Sequence, residues 1–194
     1  MMYNDDQTVF HLEGSFFLIG PMGSGKSTIG KLLARRLKCT FKDSDEAIVE
    51  RSGVTIPHIF DVEGEVGFRK RETAMIDELT QISPMILSTG GGAVVTKENR
   101  ELLKARGQVI YLNVSPQEQF NRVRYDTNRP LLQNEDPLKV LETLYSIRDP
   151  LYRECANYMI FSDKLPPKVV VDGIIEHIIN NDRPYPDWLV EINR

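Results

Sequence analysis

A chain of 194 residues, 41% hydrophobic and 27% charged, is long enough to bury one good core and short for two. Its 24 basic and 28 acidic side chains leave a formal charge of −4, which gives no general basic surface, argues against nucleic acid as a partner and requires positive charge to be concentrated locally. No run approaches the ~20 apolar residues of a membrane span and no apolar core follows a basic start, so a cytoplasmic protein without membrane contact is expected.

Residues 1–13 show no period and read as an extension ahead of one domain over 14–180. Phe16-Phe17-Leu18-Ile19 then forms a strand-like apolar run, expected within 15–20, and Ile29, Leu32, Leu33 and Leu37 mark a helix over 26–38. Between them stands Gly20-Pro21-Met22-Gly23-Ser24-Gly25-Lys26-Ser27. Two glycines followed by Lys and Ser, set between a strand and a helix, form the phosphate-binding loop pattern. A plain helix-capping turn would reproduce the four fixed positions by chance in about one chain in a hundred of this length. The glycines let backbone N–H groups at Gly23, Ser24, Gly25 and Thr28 converge on phosphate oxygens, and the helix start adds its positive end. Lys26 is placed to reach the β and γ phosphates, and the Ser27 hydroxyl to ligate Mg2+ between them, so ATP or GTP is the expected ligand.

A second strand, expected over 39–43, runs into Asp43-Ser44-Asp45. Alternate residues of an extended chain share a face, so both carboxylates can point at the nucleotide cleft, one toward the metal and one toward a hydroxyl nucleophile. The plainer reading is a helix N-cap before Glu46 and Ile48, and one residue can serve both ends. Helical spacing over 66–81 carries Arg69, and the third strand, 85–89, empties into Gly90-Gly91-Gly92. A tight turn needs one glycine; three in a row point to close approach of a substrate.

A helix over 97–106, a strand over 108–114 and a helix over 116–125 follow. Arg122, Arg124 and Arg129 flank the aperiodic Tyr125-Asp126-Thr127-Asn128, and a stretch over 122–135 reads as a lid that can neutralise a transferring phosphoryl group and exclude water. A charged surface loop is the alternative. Arg148 closes a helix expected over 137–148, and like Arg69 it reads on its own as a surface charge. A strand over 157–162 and a helix over 167–180 end the pattern, while the tail from 181 to 194 carries no assignable function. Cys39 and Cys155 are too few and too far apart for a disulfide framework, and buried free thiols are expected. Five strands separated by helices predict an α/β fold with a five-stranded parallel sheet covered on both faces and ligands at the carboxyl ends of its strands.

The ordered set of motifs resembles the shikimate kinase family from about Gly14 to Ile179. The marks are Gly-Pro-Met-Gly-Ser-Gly-Lys-Ser-Thr-Ile-Gly at 20–30, Asp-Ser-Asp at 43–45, Gly-Phe-Arg at 67–69, Thr-Gly-Gly-Gly at 89–92, Arg-Pro-Leu-Leu at 129–132 and Arg-Asp-Pro-Leu-Tyr at 148–152. This resemblance implies transfer of the ATP γ-phosphoryl group to the 3-hydroxyl of shikimate, in the route to chorismate and the aromatic amino acids. It also implies that Asp45 binds the shikimate hydroxyls and serves as base, with Asp43 on the Mg2+ side. Arg69 and Arg148 would clamp the shikimate carboxylate, Gly91 would contact the ring through its backbone, Arg129 would approach the ATP phosphates and Arg122 the adenine side. The substrate region would span about 43–72. Asp163-Lys164-Leu165-Pro166 fills the stretch where the family often contacts adenine, without a clear motif. A monomer is expected.

Other readings make different demands. A kinase of the same fold for gluconate or a nucleoside monophosphate needs another anion pocket. A GTP switch is suggested by Asp61-Val62-Glu63-Gly64, but no Asn-Lys-x-Asp guanine reader exists in the chain. For a nucleotide-binding module without catalysis, Asp45 would be dispensable.

Overall fold

A computed structural model describes residues 14–124, 136–179 and 189–191. Strands β1 (Phe16–Ile19), β2 (Thr40–Asp43), β3 (Met85–Ser88), β4 (Gln108–Asn113) and β5 (Tyr158–Phe161) fall within two residues of their expected bounds. They pair in parallel in the order β2-β3-β1-β4-β5. The predicted five-stranded parallel sheet is therefore present, and β6 (Leu189–Glu191), from the unassigned tail, adds an antiparallel sixth strand beside β5.

Strands β1 and β3 are buried along their whole length, as parallel strands covered on both faces must be. Because successive side chains face opposite ways, Phe17 and Ile19 enter one core layer with Met75, Ile76, Tyr111 and Tyr152, while Phe16 and Leu18 enter the other with Ile29, Leu33, Ile110 and Ile174. Helices α3 (Ile56–Leu79), α4 (Lys97–Arg106) and α6 (Pro137–Cys155) supply the first layer. Helices α1 (Lys26–Leu37) and α7 (Pro167–Gly173), the latter continuing to Ile179 with wider π-type winding, supply the second. Helix α5 (Pro116–Val123) follows β4.

Four expectations change. Asp45 does not extend the second strand, because Asp43 caps a nine-residue helix, α2 (Ser44–Ser52), and Asp45 lies in its first turn. Helix α3 starts at Ile56, where Thr55 caps it, ten residues earlier than expected; Gly64 (φ 68°, ψ −176°) interrupts it just ahead of the predicted start. Helix α6 continues beyond Arg148 through Pro150 to Cys155. Cys155 is buried, but Cys39, at the corner between α1 and β2, is only half-buried; both are free thiols. The Asp61–Gly64 stretch lies on α3 and is exposed along its length. Among the described residues no helix is long and apolar enough to cross a membrane.

The pairing register sets the site. Leu18 and Asp43 both stand beside Ser88, so β2, β3 and β1 release their chains at one level of the same sheet edge.

Candidate active site

The loop after β1 turns where only glycine fits: Gly20 has φ 143°, and a Cβ on it would lie 2.5 Å from the Leu112 carbonyl oxygen of β4. Gly25, at φ 89°, is the N-cap of α1 and offers no side chain to its first N–H groups, which are left for an anion. The Lys26 ammonium is buried in the loop. It donates to the carbonyl oxygens of Gly20 and Pro21, both at 2.8 Å, and to Ser24 Oγ at 3.3 Å.

In the first turn of α1, Ser27 Oγ donates to Asp43 Oδ2 at 2.8 Å, with Ser88 Oγ at 3.5 Å. The other Asp43 oxygen accepts the N–H groups of Asp45 (3.0 Å) and Glu46 (3.3 Å). Capping α2 and facing the phosphate loop are thus both done by Asp43, with one oxygen for each.

The three glycines after β3 have a spatial explanation, since none takes the left-handed region. A Cβ on Gly90 would meet Asp45 Oδ1 at 2.7 Å and Glu72 Oε1 at 3.0 Å, and one on Gly92 would meet Arg69 Nη2 at 2.4 Å. The missing side chains are space taken by two carboxylates and a guanidinium. The turn is also tied from α2: the wholly buried Ser44 accepts the Gly90 N–H through Oγ at 3.1 Å.

Arg69, on α3, donates to Glu72 Oε2 at 2.7 Å and to Glu65 Oε1 at 3.1 Å. Glu72 is wholly buried, and among the described residues its Oε1 and the Oδ1 of Asp45 have no hydrogen-bond partner. Both unpartnered oxygens crowd Gly90. Burial, then the negative charges of Asp43 and Glu72, push the Asp45 carboxyl up to about 7 against the pull of Lys26 and Arg69. Burial likewise raises Glu72, and the Arg69 guanidinium opposes it.

From α6, Arg148 Nη1 reaches to 3.4 Å from the Gly91 carbonyl oxygen, and the Tyr152 hydroxyl donates to the same oxygen. A Cβ on Gly91 would lie 3.4 Å from the Met22 nitrogen, so the glycine turn faces the phosphate loop at close range. Lys26, Ser27, Asp43, Asp45, Arg69, Gly91 and Arg148 therefore gather at one sheet edge. A separate cavity of about 250 Å³ is lined by Gly23, Gly25, Thr28, Arg122, Ser162 and Leu165. Arg122 is fixed to its wall, donating to the carbonyl oxygens of Gly23 (3.1 Å) and Ser162 (3.0 Å). Arg129 and the rest of the expected lid, 125–135, lie outside the described residues.

Sequence reasoning missed Ser44, Glu72 and Tyr152. For the last two a signal existed, because Glu72 follows Arg69 by three residues and Tyr152 follows Arg148 by four, the spacings that share a helix face.

The shikimate kinase family model matches residues 22–179. A shikimate kinase of Pseudomonas aeruginosa (strain LESB58) is 52% identical over 164 residues, covering 84% of this chain and 95% of that protein. One of Legionella pneumophila (strain Corby) is 55% identical over 164 residues, covering 84% and 94%. The solved structure of a shikimate kinase from Acinetobacter baumannii in complex with shikimate is similar at a TM-score of 0.84 and 45% identity, covering 92% of this chain and 97% of that one. A gluconokinase from Sinorhizobium meliloti 1021, at 19% identity and a TM-score of 0.51, shares the fold alone.

Glu72→Gln keeps the side-chain shape, removes one negative charge beside Asp45 and leaves Arg69 freer to act on it. The Asp45 carboxyl is then expected to titrate below its present value of about 7, as followed by carboxyl-carbon NMR. Titration unchanged in this variant would mean that Glu72 has no electrostatic hold on Asp45.

Proposed function

The chain belongs to the shikimate kinase family, and we propose that it transfers the γ-phosphoryl group of ATP to the 3-hydroxyl of shikimate, giving shikimate 3-phosphate for aromatic amino acid synthesis. The observation that best supports this is the junction at Gly91, which faces the phosphate loop with room for little more than one carbon between them and whose carbonyl lies 3.4 Å from the Arg148 guanidinium. A small hydroxy acid held there by its carboxylate would present its hydroxyls between Asp45 and the loop.

The loop N–H groups over Gly23, Ser24, Gly25, Lys26, Ser27 and Thr28 would cradle the phosphates, and Lys26 would exchange the Gly20 and Pro21 carbonyls for phosphate oxygens. The Ser27 hydroxyl and the Asp43 carboxylate, 2.8 Å apart, are hard oxygen donors suited to Mg2+. Bound with ATP, that ion would supply charge neutralisation between the β and γ phosphates. Asp45 takes the 3-hydroxyl proton as the hydroxyl oxygen attacks the γ phosphorus; the bond to the β–γ bridging oxygen breaks and ADP leaves. Arg69 and Arg148 fork the shikimate carboxylate, and Gly91 offers backbone to the ring. The adenine end would enter the cavity of Arg122, Ser162 and Leu165. Arg129, from the lid over 122–135, would approach the transferring group and help to exclude water. These parts form a single domain over 14–180 with the substrate region at about 43–72, and the protein acts as a cytoplasmic monomer.

Coupled detection of ADP release tests the substrate directly. Release is expected on adding shikimate and not on adding gluconate; the reverse result would favour the gluconate reading.

Only ionised Asp45 can accept the proton. With its carboxyl raised to about 7, kcat/KM should fall by about tenfold per pH unit below that value. Asp45→Asn should lose turnover by roughly 10² or more while still binding ATP, and a rate close to wild type would reduce Asp45 to a structural role.

Charged hydrogen bonds are worth about 1.5–3 kcal/mol each, so Arg69→Ala or Arg148→Ala should weaken shikimate by roughly ten- to a hundredfold and leave ATP nearly unchanged in titration calorimetry. Lys at either position should restore only part, because it keeps the charge and loses the planar fork. Equal weakening of both ligands would point to misfolding instead of a lost clamp.

A further inference from the structure

Three consecutive glycines form the backbone most free to rotate, yet a substrate contact requires that backbone to hold one orientation. Within the turn, the Gly90 N–H is bound by Ser44 Oγ, the Gly90 carbonyl by the Ala93 N–H and the Gly92 carbonyl by the Val95 N–H. The Gly91 carbonyl is held from outside, by the Tyr152 hydroxyl and, at 3.4 Å, by Arg148 Nη1. A peptide unit is planar, so fixing this carbonyl also fixes the N–H of Gly92 on the opposite side of the same plane. Among the described residues neither that N–H nor the N–H of Gly91 has an acceptor.

Tyr152 is suited to hold a position. It is only 1% exposed, and its ring stacks on Tyr111 with centroids 4.8 Å apart and planes at 24°. The Tyr111 hydroxyl is used elsewhere, on Asp149 Oδ1 at 2.9 Å. One helical turn separates Tyr152 from Arg148, and the two side chains converge on the same Gly91 carbonyl oxygen. One glycine carbonyl is therefore held by a buried hydroxyl and an arginine from the same helix.

We infer that Tyr152 is a positioning residue for the carboxylate end of the substrate, its hydroxyl setting the Gly91–Gly92 peptide and the Arg148 guanidinium in a fixed relation. This rests on the shikimate reading above. Tyr152 touches no reacting atom, so its contribution falls on substrate capture and leaves the transfer step itself largely alone.

Tyr152→Phe keeps the ring, the stack and the volume and deletes only the hydroxyl. The expected result is a shikimate KM raised about tenfold, with kcat within about threefold and the ATP KM within about twofold of wild type. Tyr111→Phe is the matched control. It removes a buried hydroxyl from the same stack and should lower the melting temperature while leaving both KM values unchanged. A shikimate KM for Tyr152→Phe within about twofold of wild type would overturn the inference. An equal rise in Tyr111→Phe would also overturn it, by tracing the loss to the stack. Absence of shikimate turnover in the unmodified chain would defeat the functional reading and this inference together, whereas normal turnover with an unaffected Tyr152→Phe defeats this inference alone.

Discussion

Parallel hydrogen bonding fixes the heights of β2, β3 and β1 relative to one another, and the chemistry of this chain leaves from the edge so defined. Leu18, Ser88 and Asp43 stand in line across the three strands. Within two residues of that line, the chain becomes a phosphate loop after β1, a glycine turn after β3 and a capped helix after β2. A slip of one residue in β2 would carry Asp43 off Ser27 and send every side chain of that strand to the opposite face. Because β1 lies between β3 and β4, its loop borders the glycine turn on one side and the α5 end of the adjoining cavity on the other. The expected ligands, a small acid and a nucleotide, thus meet across one loop.

Acidic and basic groups are balanced inside this edge. Asp43, Asp45 and Glu72 face Lys26, Arg69 and Arg148; Lys26 and Glu72 are buried and the others half-buried, and charges so withdrawn from water are tolerable only when each has a counter-charge or a dipole. Asp43 has a hydroxyl and two backbone N–H groups, and Glu72 has Arg69. What stays unmatched among the described residues is one oxygen of Asp45 and one of Glu72, both against Gly90. A ligand with several hydroxyls offers donors to such oxygens. The glycines provide the room, since a methyl group at position 90 would collide with Asp45 and Glu72, and one at 92 with Arg69.

Much of this could be read from the chain because backbone demands leave residue signatures. Gly20 and Gly25 mark turns that other residues resist, Asp-Ser-Asp ends a strand at the right edge, and Arg69 and Arg148 stand in recognisable surroundings. The parts that escaped depend on partners distant in sequence. Ser44 acquires its meaning from Gly90, 46 residues away, and Tyr152 from Gly91, 61 residues away. Helix α2 is short, and the first part of α3 exposes Val62 (69%) and Val66 (72%), which blurs the apolar period from which a helix is recognised. Helix α6 overruns its expected end at Arg148 and continues through Pro150, because its later residues Tyr152 and Cys155 are buried against the sheet. The edge strand β6 is only three residues long and is defined by its pairing with β5.

The contacts of Lys26 bear on ion selectivity. Its ammonium is held by two carbonyl oxygens and a hydroxyl, so an anion that is to draw it away must offer more than those oxygens do. A monovalent anion such as chloride offers the ammonium little more than it gives up. A polyphosphate offers several charged oxygens at once, to the ammonium and to the N–H groups at the head of α1 together. Such a loop is expected to favour a polyphosphate over monovalent anions, with background salt acting on it mainly through screening.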